Sequence, residues 1–184
     1  MQRSPIKHCR GCGATVDYRL PDDGDTKLRA VCNACSTVHY ENPLNVVGTL
    51  PTWGDDGAQV LLCKRNIEPR KGKWTLPAGF MELDETTREG AARETVEEAG
   101  AAFEMLDLYA LMNVARVGQV HLFYRARLLH TNFDPGTETM EARLFSEADI
   151  PWDEIAFRTV RETLTRYFSD RRAGAFGFHV LDID

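Results

Sequence analysis

The stretch Gly79-Phe-Met-Glu-Leu-Asp-Glu85-Thr-Thr-Arg-Glu-Gly-Ala-Ala-Arg93-Glu94-Thr-Val-Glu97-Glu98-Ala-Gly100 decides the fold. Thr86 and Glu89 stand at the spacing of a capping box and Gly100 supplies a stop, so a helix is expected from about Thr87 to Ala99. At about 100° per residue, Glu94, Glu97 and Glu98 gather on one face. Ala92, Val96 and Ala99 are expected on the opposite face, packed on a sheet. The arrangement is locally unfavourable. Like charges at i,i+3 and i,i+4 repel by roughly 0.2–0.5 kcal/mol per pair. The C-terminal end of a helix disfavours each carboxylate by a further ~0.3–1 kcal/mol. Arg93 can pair with Glu89 or Glu97, but no base follows the three glutamates within one turn. Divalent cations reverse the sign of this energy, which makes the face a candidate hard-metal site.

The residues before the helix fit that chemistry. Pro77-Ala78-Gly79 is expected to form a tight turn whose carbonyls can approach an ion or ligand. Magnesium takes oxygen ligands, keeps several waters and shares its shell with phosphates. The chain has 184 residues with 28 acidic against 22 basic, a net charge of −6. That balance disfavours a nucleic-acid binder and suits a phosphate substrate held through metal. No apolar run approaches a membrane span, and Met1 to Cys12 lacks the apolar core of a secretory signal. The expectation is a soluble cytoplasmic protein.

Four of the five cysteines form two C-x-x-C pairs, Cys9/Cys12 and Cys32/Cys35, with nineteen residues between the pairs. That spacing is expected of a zinc ribbon, and four thiolates close the shell of one structural Zn²⁺. Two disulfides would need an oxidising compartment, and a redox pair would ordinarily come singly. The ribbon is expected over residues 1–40, too few to hold a core alone; zinc would contribute roughly 10–16 kcal/mol of folding energy. Its bases, Arg3, Lys7, Arg10, Arg19, Lys27 and Arg29, are diluted by Asp17, Asp22, Asp23 and Asp25. Cys63, inside an apolar run, reads as a buried residue rather than a nucleophile.

The remainder, residues 41–184, reads as one domain. Leu44 to Leu50, Val60 to Arg65, Leu106 to Met112, Gln119 to Leu128 and Met140 to Phe145 have the texture of strands. Phe157, Val160, Leu164 and Phe168 recur at helical spacing and mark a closing helix. Arg70 to Phe80 reads as a loop. The class is α/β or α+β.

Gly79, Glu85 and Arg93-Glu94-Thr95-Val96-Glu97-Glu98-Ala99-Gly100-Ala101 together resemble the Nudix box, with Thr95 standing where the pattern prefers a larger aliphatic residue. The resemblance implies an α/β/α sandwich with a mixed sheet, here preceded by the small four-cysteine zinc ribbon. It also implies hydrolysis of a nucleoside diphosphate linked to another group, dependent on two or three Mg²⁺ or Mn²⁺ ions. By the same resemblance, Glu94, Glu97 and Glu98 would ligate the ions with help from the Ala78 carbonyl. Arg93 and Glu85 would brace loop against helix, and Glu138 or Glu141 would act as base or extra ligand. A homodimer is a further expectation from the family.

The ribbon followed by His39-Tyr-Glu-Asn-Pro43 is similar to two groups: NADH pyrophosphatases, and enzymes acting on FAD or ADP-ribose. The Pro-rich stretch that marks the first group is absent from Ala102 to Gln119. The proline of many ADP-ribose enzymes is replaced by Arg116-Val117, which sets FAD slightly ahead. The substrate expected is a small dinucleotide, cleaved to FMN and AMP or to AMP and ribose 5-phosphate. Trp74, Phe80 and Tyr124 are candidates to stack on its rings, against core or loop packing; Arg65 and Arg70, beside the Gly79 loop, are candidates to steady phosphates, against solvated surface charge. Rival readings are a non-catalytic nucleotide sensor, which would be expected to have lost box glutamates, and nucleic-acid work through RNA-cap hydrolysis or RNA binding by the ribbon.

Overall fold

The computed structural model describes residues 4–184, so Arg3 of the ribbon's basic set lies outside the described residues. The chain forms two compact units, Met1–Pro43 and Leu44–Asp184. In the first, β1 (Val16–Arg19), β2 (Arg29–Cys32) and β3 (Val38–His39) form an antiparallel sheet in the order β1-β2-β3. The four cysteines stand at the turns beside these strands, where the amides of Gly11, Ala34 and Cys35 donate to Cys sulfurs at 3.4 Å. The Tyr18 hydroxyl donates to the Glu41 carboxylate at 3.1 Å, so this unit's bonding runs on as far as Glu41.

The second unit contains β4 (Leu44–Trp53), β5 (Gln59–Arg65), β6 (Trp74–Thr75), β7 (Ala78–Phe80), α1 (Thr87–Ala99), β8 (Phe103–Val114), β9 (Gln119–Leu128), β10 (Thr139–Ser146), α2 (Arg158–Ala173) and β11 (His179–Asp182). Its eight-stranded sheet runs β10-β5-β4-β9-β8-β11, with β6 on β5 and β7 on β4. The pairs β4/β9 and β8/β11 are parallel and the others antiparallel, so the sheet is mixed. Successive side chains of β5 point to opposite sides. Val60 and Leu62 join the core under α2, while Leu61 and Cys63 join the core under α1. Both faces are therefore covered, giving an α/β/α sandwich. No helix among the described residues is long and apolar enough to cross a membrane.

Helix α1 begins and ends as its caps dictate. The Glu89 amide donates to Thr86 Oγ1 at 3.2 Å, and the Thr86 amide donates to Glu89 Oε2 at 2.8 Å. Gly100 closes the helix at φ 57°. Its buried face corrects the expectation. Val96 is 55% exposed and Ala92 only half-buried; the face on the sheet is Gly90, Ala91, Thr95, Glu98 and Ala99. The reason is size. Small residues let the helix lie directly against β4, where the hydroxyls of Thr95 and Thr49 meet at 2.7 Å and Thr95 also donates to the Ala91 carbonyl at 2.7 Å. The threonine that departs from the box pattern is thus buried and satisfied.

Two further corrections concern Arg70 to Phe80. Ala78 and Gly79 belong not to a tight turn but to the strand β7, paired antiparallel with Val46–Gly48 of β4. Trp74 is 3% exposed and sits in the core, edge-on to Phe145 with centroids 4.8 Å apart, which removes it from any ligand. The edge strand β11, unanticipated from the sequence, is held at its start by Asp170, which bonds His179 Nε2 at 2.8 Å and accepts from the Tyr109 hydroxyl at 2.9 Å.

The crossing of β4 and β7 tolerates no side chain at Gly48, where a Cβ would collide with Ala78 and the Pro77 carbonyl. Gly48→Ala is expected to lower the urea midpoint by the equivalent of about 1–3 kcal/mol. Gly177→Ala, where a Cβ meets nothing, is expected to leave the midpoint within about 0.5 kcal/mol of wild type.

Candidate active site

A cavity of about 740 Å³ opens where β7, the α1 edge, the start of β9 and the first turn of α2 converge. Its lining carries an acidic group, Glu94, Glu97, Glu98 and Glu138, and an apolar group, Val46, Ile67, Phe80, Phe123 and Phe157.

The acidic wall is assembled by Arg93. Its Nε donates to Glu85 Oε2 at 3.0 Å and its Nη2 to Glu85 Oε1 at 2.8 Å, a two-point clamp. Nη2 also reaches the Phe80 carbonyl at 3.2 Å, while Nη1 bonds Glu94 at 2.7 Å and Glu97 at 3.2 Å. Hydrogen bonding to Arg93 holds the Glu85 carboxyl down at about 2. Glu85 also accepts from the Glu82 amide at 2.7 Å, so one guanidinium ties the loop before α1 to the glutamates on it. A Cβ at Gly79 would occupy the space of the Glu94 carboxylate, so any side chain there displaces that group.

Glu98 lies deepest, at 7% exposure. It accepts the Ala78 amide at 2.9 Å, and burial, helped by the charges of Glu94 and Glu138, pushes its carboxyl up to about 7. Burial also raises Glu94, with Arg93 opposing. These are carboxylates short of cations.

Of the two glutamates outside α1, Glu138 lines the cavity and Glu141 does not. Glu138 is carried there by a loop that caps the end of α1: the amides of Asp134 and Gly136 donate to the carbonyls of Ala99 at 3.2 Å and Glu97 at 3.1 Å. The Asn66 amide then holds the Glu138 carbonyl at 2.8 Å. Glu141 pairs on β10 with Arg143 at 3.6 Å. Arg65, 9% exposed, lines the cavity, donates to the Pro69 carbonyl at 2.9 Å and lies over the Phe157 ring at 5.1 Å. Arg70 lies outside the cavity, and Tyr124 is buried with its hydroxyl 2.7 Å from Thr87. Phe80 is half-exposed at the cavity mouth. Gln119, His121 and Thr159 also line the cavity, and nothing in the local sequence singled them out.

In the ribbon, the four thiol sulfurs lie within 4.8 Å of one another, the one such cluster of potential ligands among the described residues. Individual separations are 3.7 Å for Cys9/Cys35, 3.4 Å for Cys12/Cys32 and 3.5 Å for Cys12/Cys35. A tetrahedral ion with sulfur ligands at about 2.3 Å spaces them at roughly 3.8 Å, so the set fits zinc. All four are free of disulfides. Cys63 is buried and its thiol pushed up by burial, an inert core residue.

Residues 43–167 match the family model described as NUDIX domain, and residues 7–41 match the one described as Nudix N-terminal, a zinc ribbon. A NUDIX hydrolase from Nitrosomonas europaea is similar in structure at a TM-score of 0.91 and 49% identity, over 97% of this chain and 99% of that one. The ADP-ribose pyrophosphatase of Methanocaldococcus jannaschii is 30% identical over 54% of this chain and 60% of its own length. Human mitochondrial NAD(P)H pyrophosphatase NUDT13 is 27% identical over 82% of this chain and 40% of its own length. The chain spans between about a third and three-fifths of the length of the curated relatives it matches.

The raised carboxyl of Glu98 has a consequence for stability without divalent ions. Because burial holds its carboxyl at about 7 in the folded state, above the ordinary glutamate value of 4.5, the folded state binds more protons between those values. Its contribution is therefore most favourable below about pH 4.5 and is lost as pH rises through about 7. Glu98→Gln, which still accepts the Ala78 amide, is expected to be more stable than wild type at pH 8 by up to about 3 kcal/mol. At pH 4.5 the gap is expected to close. Urea denaturation at the two pH values measures it.

Proposed function

The chain belongs to the NUDIX domain family, and on that premise we propose that it is a pyrophosphohydrolase cleaving the diphosphate of a small dinucleotide that carries an ADP half. The observation that supports this most directly is one cavity lined both by Glu94, Glu97, Glu98 and Glu138 and by the apolar Val46, Ile67, Phe80, Phe123 and Phe157. A cavity of roughly 300–1,000 Å³ is the size that holds compact ligands. A diphosphate between two apolar groups needs an anion-compatible middle and greasy ends.

The donor set fits hard divalent cations. It is all oxygen, and Glu98 is a buried carboxylate bonded by a single amide. Arg93 already occupies one oxygen of Glu94 and one of Glu97, leaving the other oxygen of each for an ion. Glu94, Glu97, Glu98 and the Ala78 carbonyl would hold Mg²⁺ or Mn²⁺. Such ions supply charge withdrawal from phosphate oxygens and a more acidic water. The Ala78 amide keeps Glu98 oriented, and Arg93 keeps Glu94 and Glu97 from splaying into solvent. Glu138 takes the proton from the attacking water. Water adds across the P–O–P bridge: one phosphorus gains the hydroxyl, and the leaving phosphate takes the proton.

The names of the relatives favour ADP-ribose or NAD(P)H-like substrates, and FAD shares their ADP half. The products are AMP and the partner monophosphate. One Zn²⁺ in the Cys9, Cys12, Cys32, Cys35 cluster is structural, since four thiolates leave no open position.

ADP-ribose, NADH and FAD are to be supplied with Mg²⁺ or Mn²⁺ and the products separated. AMP release from at least one is expected; tight binding with no turnover of any would favour a sensor. Glu97→Gln and Glu98→Gln are each expected to lower kcat at least about 100-fold with the fold intact. Glu138→Gln is expected to lower kcat by about 100-fold, and Glu141→Gln to leave it within about twofold of wild type. Equal effects at 138 and 141 would remove the assignment of the base. Cys12→Ser is expected to abolish the equimolar zinc found by metal analysis.

A further inference from the structure

The loop that brings Glu138 to the cavity hangs from two supports. One is the end of α1, where the carbonyls of Glu97 and Ala99 accept the amides of Gly136 and Asp134. A Cβ at Gly136 would collide with the Glu97 carbonyl, so the loop lies hard against the helix end. The other support is Asn66, the first residue beyond β5. Its main-chain amide donates to the Glu138 carbonyl at 2.8 Å, and its side-chain Nδ2 donates to the Thr137 carbonyl at 2.9 Å. A carbonyl only accepts, so the nitrogen end of the Asn66 side chain has to face Thr137. These two carbonyls belong to the planar peptide groups on either side of the Glu138 Cα. Holding both groups fixes the direction in which the Glu138 side chain leaves the backbone. The sheet gives little help here. Pairing with β5 begins at Thr139, opposite Arg65, and a bulge interrupts it at once, between Thr139 and Glu141. The Glu138 carboxylate stands close to those of α1: beyond burial, its charge adds to the rise of both the Glu94 and the Glu98 carboxyls. Asn66 itself does not line the cavity, although its neighbours Arg65 and Ile67 do.

We propose that Asn66 is a positioning residue: by gripping the two peptide groups that flank the Glu138 Cα, it aims the Glu138 carboxylate at the attacking water. Asn66 acts through Glu138 and not on the substrate. A base that must meet its proton within hydrogen-bond reach loses efficiency when its backbone is free to swing, even though the carboxylate itself is still present. That Glu138 serves as base rests on the pyrophosphohydrolase reading; the grip on its loop rests on the geometry alone.

Asn66→Ala removes the side-chain bond and keeps the main-chain one. With a dinucleotide that the wild type hydrolyses, kcat is expected to fall about 10-fold while KM stays within about twofold. In a Glu138→Gln background the same substitution is expected to change kcat by less than about twofold, because no base is left to aim. A merely structural role would lower kcat by the same factor in both backgrounds, and that result would overturn the proposal. A single variant with wild-type kcat would do the same. Amide hydrogen exchange of the zinc-loaded protein reads the grip without any turnover. In Asn66→Ala the amides of Asn66, Gly136 and Thr139 are expected to exchange roughly 5–10-fold faster than in the wild type, the effect of one lost hydrogen bond. Those of β9 are expected to keep their rates. Unchanged exchange at all three would overturn the proposal. Faster exchange at the three, in a protein that hydrolyses no dinucleotide, would instead sink the pyrophosphohydrolase reading and leave Asn66 as the anchor of this loop.

Discussion

A single guanidinium decides where the acidic wall can be. Arg93 bonds two of the three glutamates on α1 while clamping Glu85 at two points. Bidentate geometry is what an arginine supplies and a lysine does not. The clamp reaches the Phe80 carbonyl as well, which ties β7 to the helix edge. Yet the neutralisation is incomplete. Glu98 lies beyond the reach of that clamp, and its buried carboxyl is left with one amide. The pattern is that of a site with its rigidity built in and its charge balance deferred to whatever binds there.

That arrangement depends on the small residues behind it. Gly90, Ala91 and Thr95 let α1 lie close to β4, and Gly48 lets β4 pass β7. Larger residues on that face would lift the helix and withdraw its carboxylates from the Ala78 amide. The polar contact between Thr49 and Thr95 serves the same end, because a buried hydroxyl must find a partner and so fixes the helix in rotation. On the other side of the sheet, α2 buries Val160, Leu164, Tyr167 and Phe168 in the core, and its first turn brings Thr159 and Val160 to the cavity lining.

Much of this was legible from the sequence because it is local. The caps of α1, the cysteine pairs and the Arg93–Glu85 pairing depend on residues close together along the chain or on a recurrent motif. The buried face of α1 was misread because the helix is built of small and charged residues: Val96 looked like an anchor by hydrophobicity, whereas the packing selects Ala91 and Thr95 by size. Glu138 could not be told from Glu141 because the distinction comes from a loop folding back on the end of α1, a contact across many residues. Trp74 shows why an aromatic beside a site is ambiguous in sequence: of its two readings, ring stacking and core packing, the structure selects the core. Gln119 and His121 gave no signal at all: alternation along a strand says which residues share a face, not which end of that face meets a cavity.

The two candidate metal sites differ as their chemistry requires. The thiols of the ribbon converge within 4.8 Å, each knuckle receiving backbone amides at a sulfur, and an ion there has no position to spare. The glutamates form no such cluster, and an arginine stands among them. A closed shell of soft ligands stabilises a small unit with little core of its own. An open, hard, partly hydrated shell must leave coordination positions for water and phosphate oxygens. If the carboxylates had converged as tightly as the thiols, an ion between them would be saturated by protein and unable to engage a diphosphate. Their looser placement, with Arg93 bridging Glu94 and Glu97 and Glu98 held by one amide, suits an ion that keeps positions for water and phosphate rather than a closed structural shell.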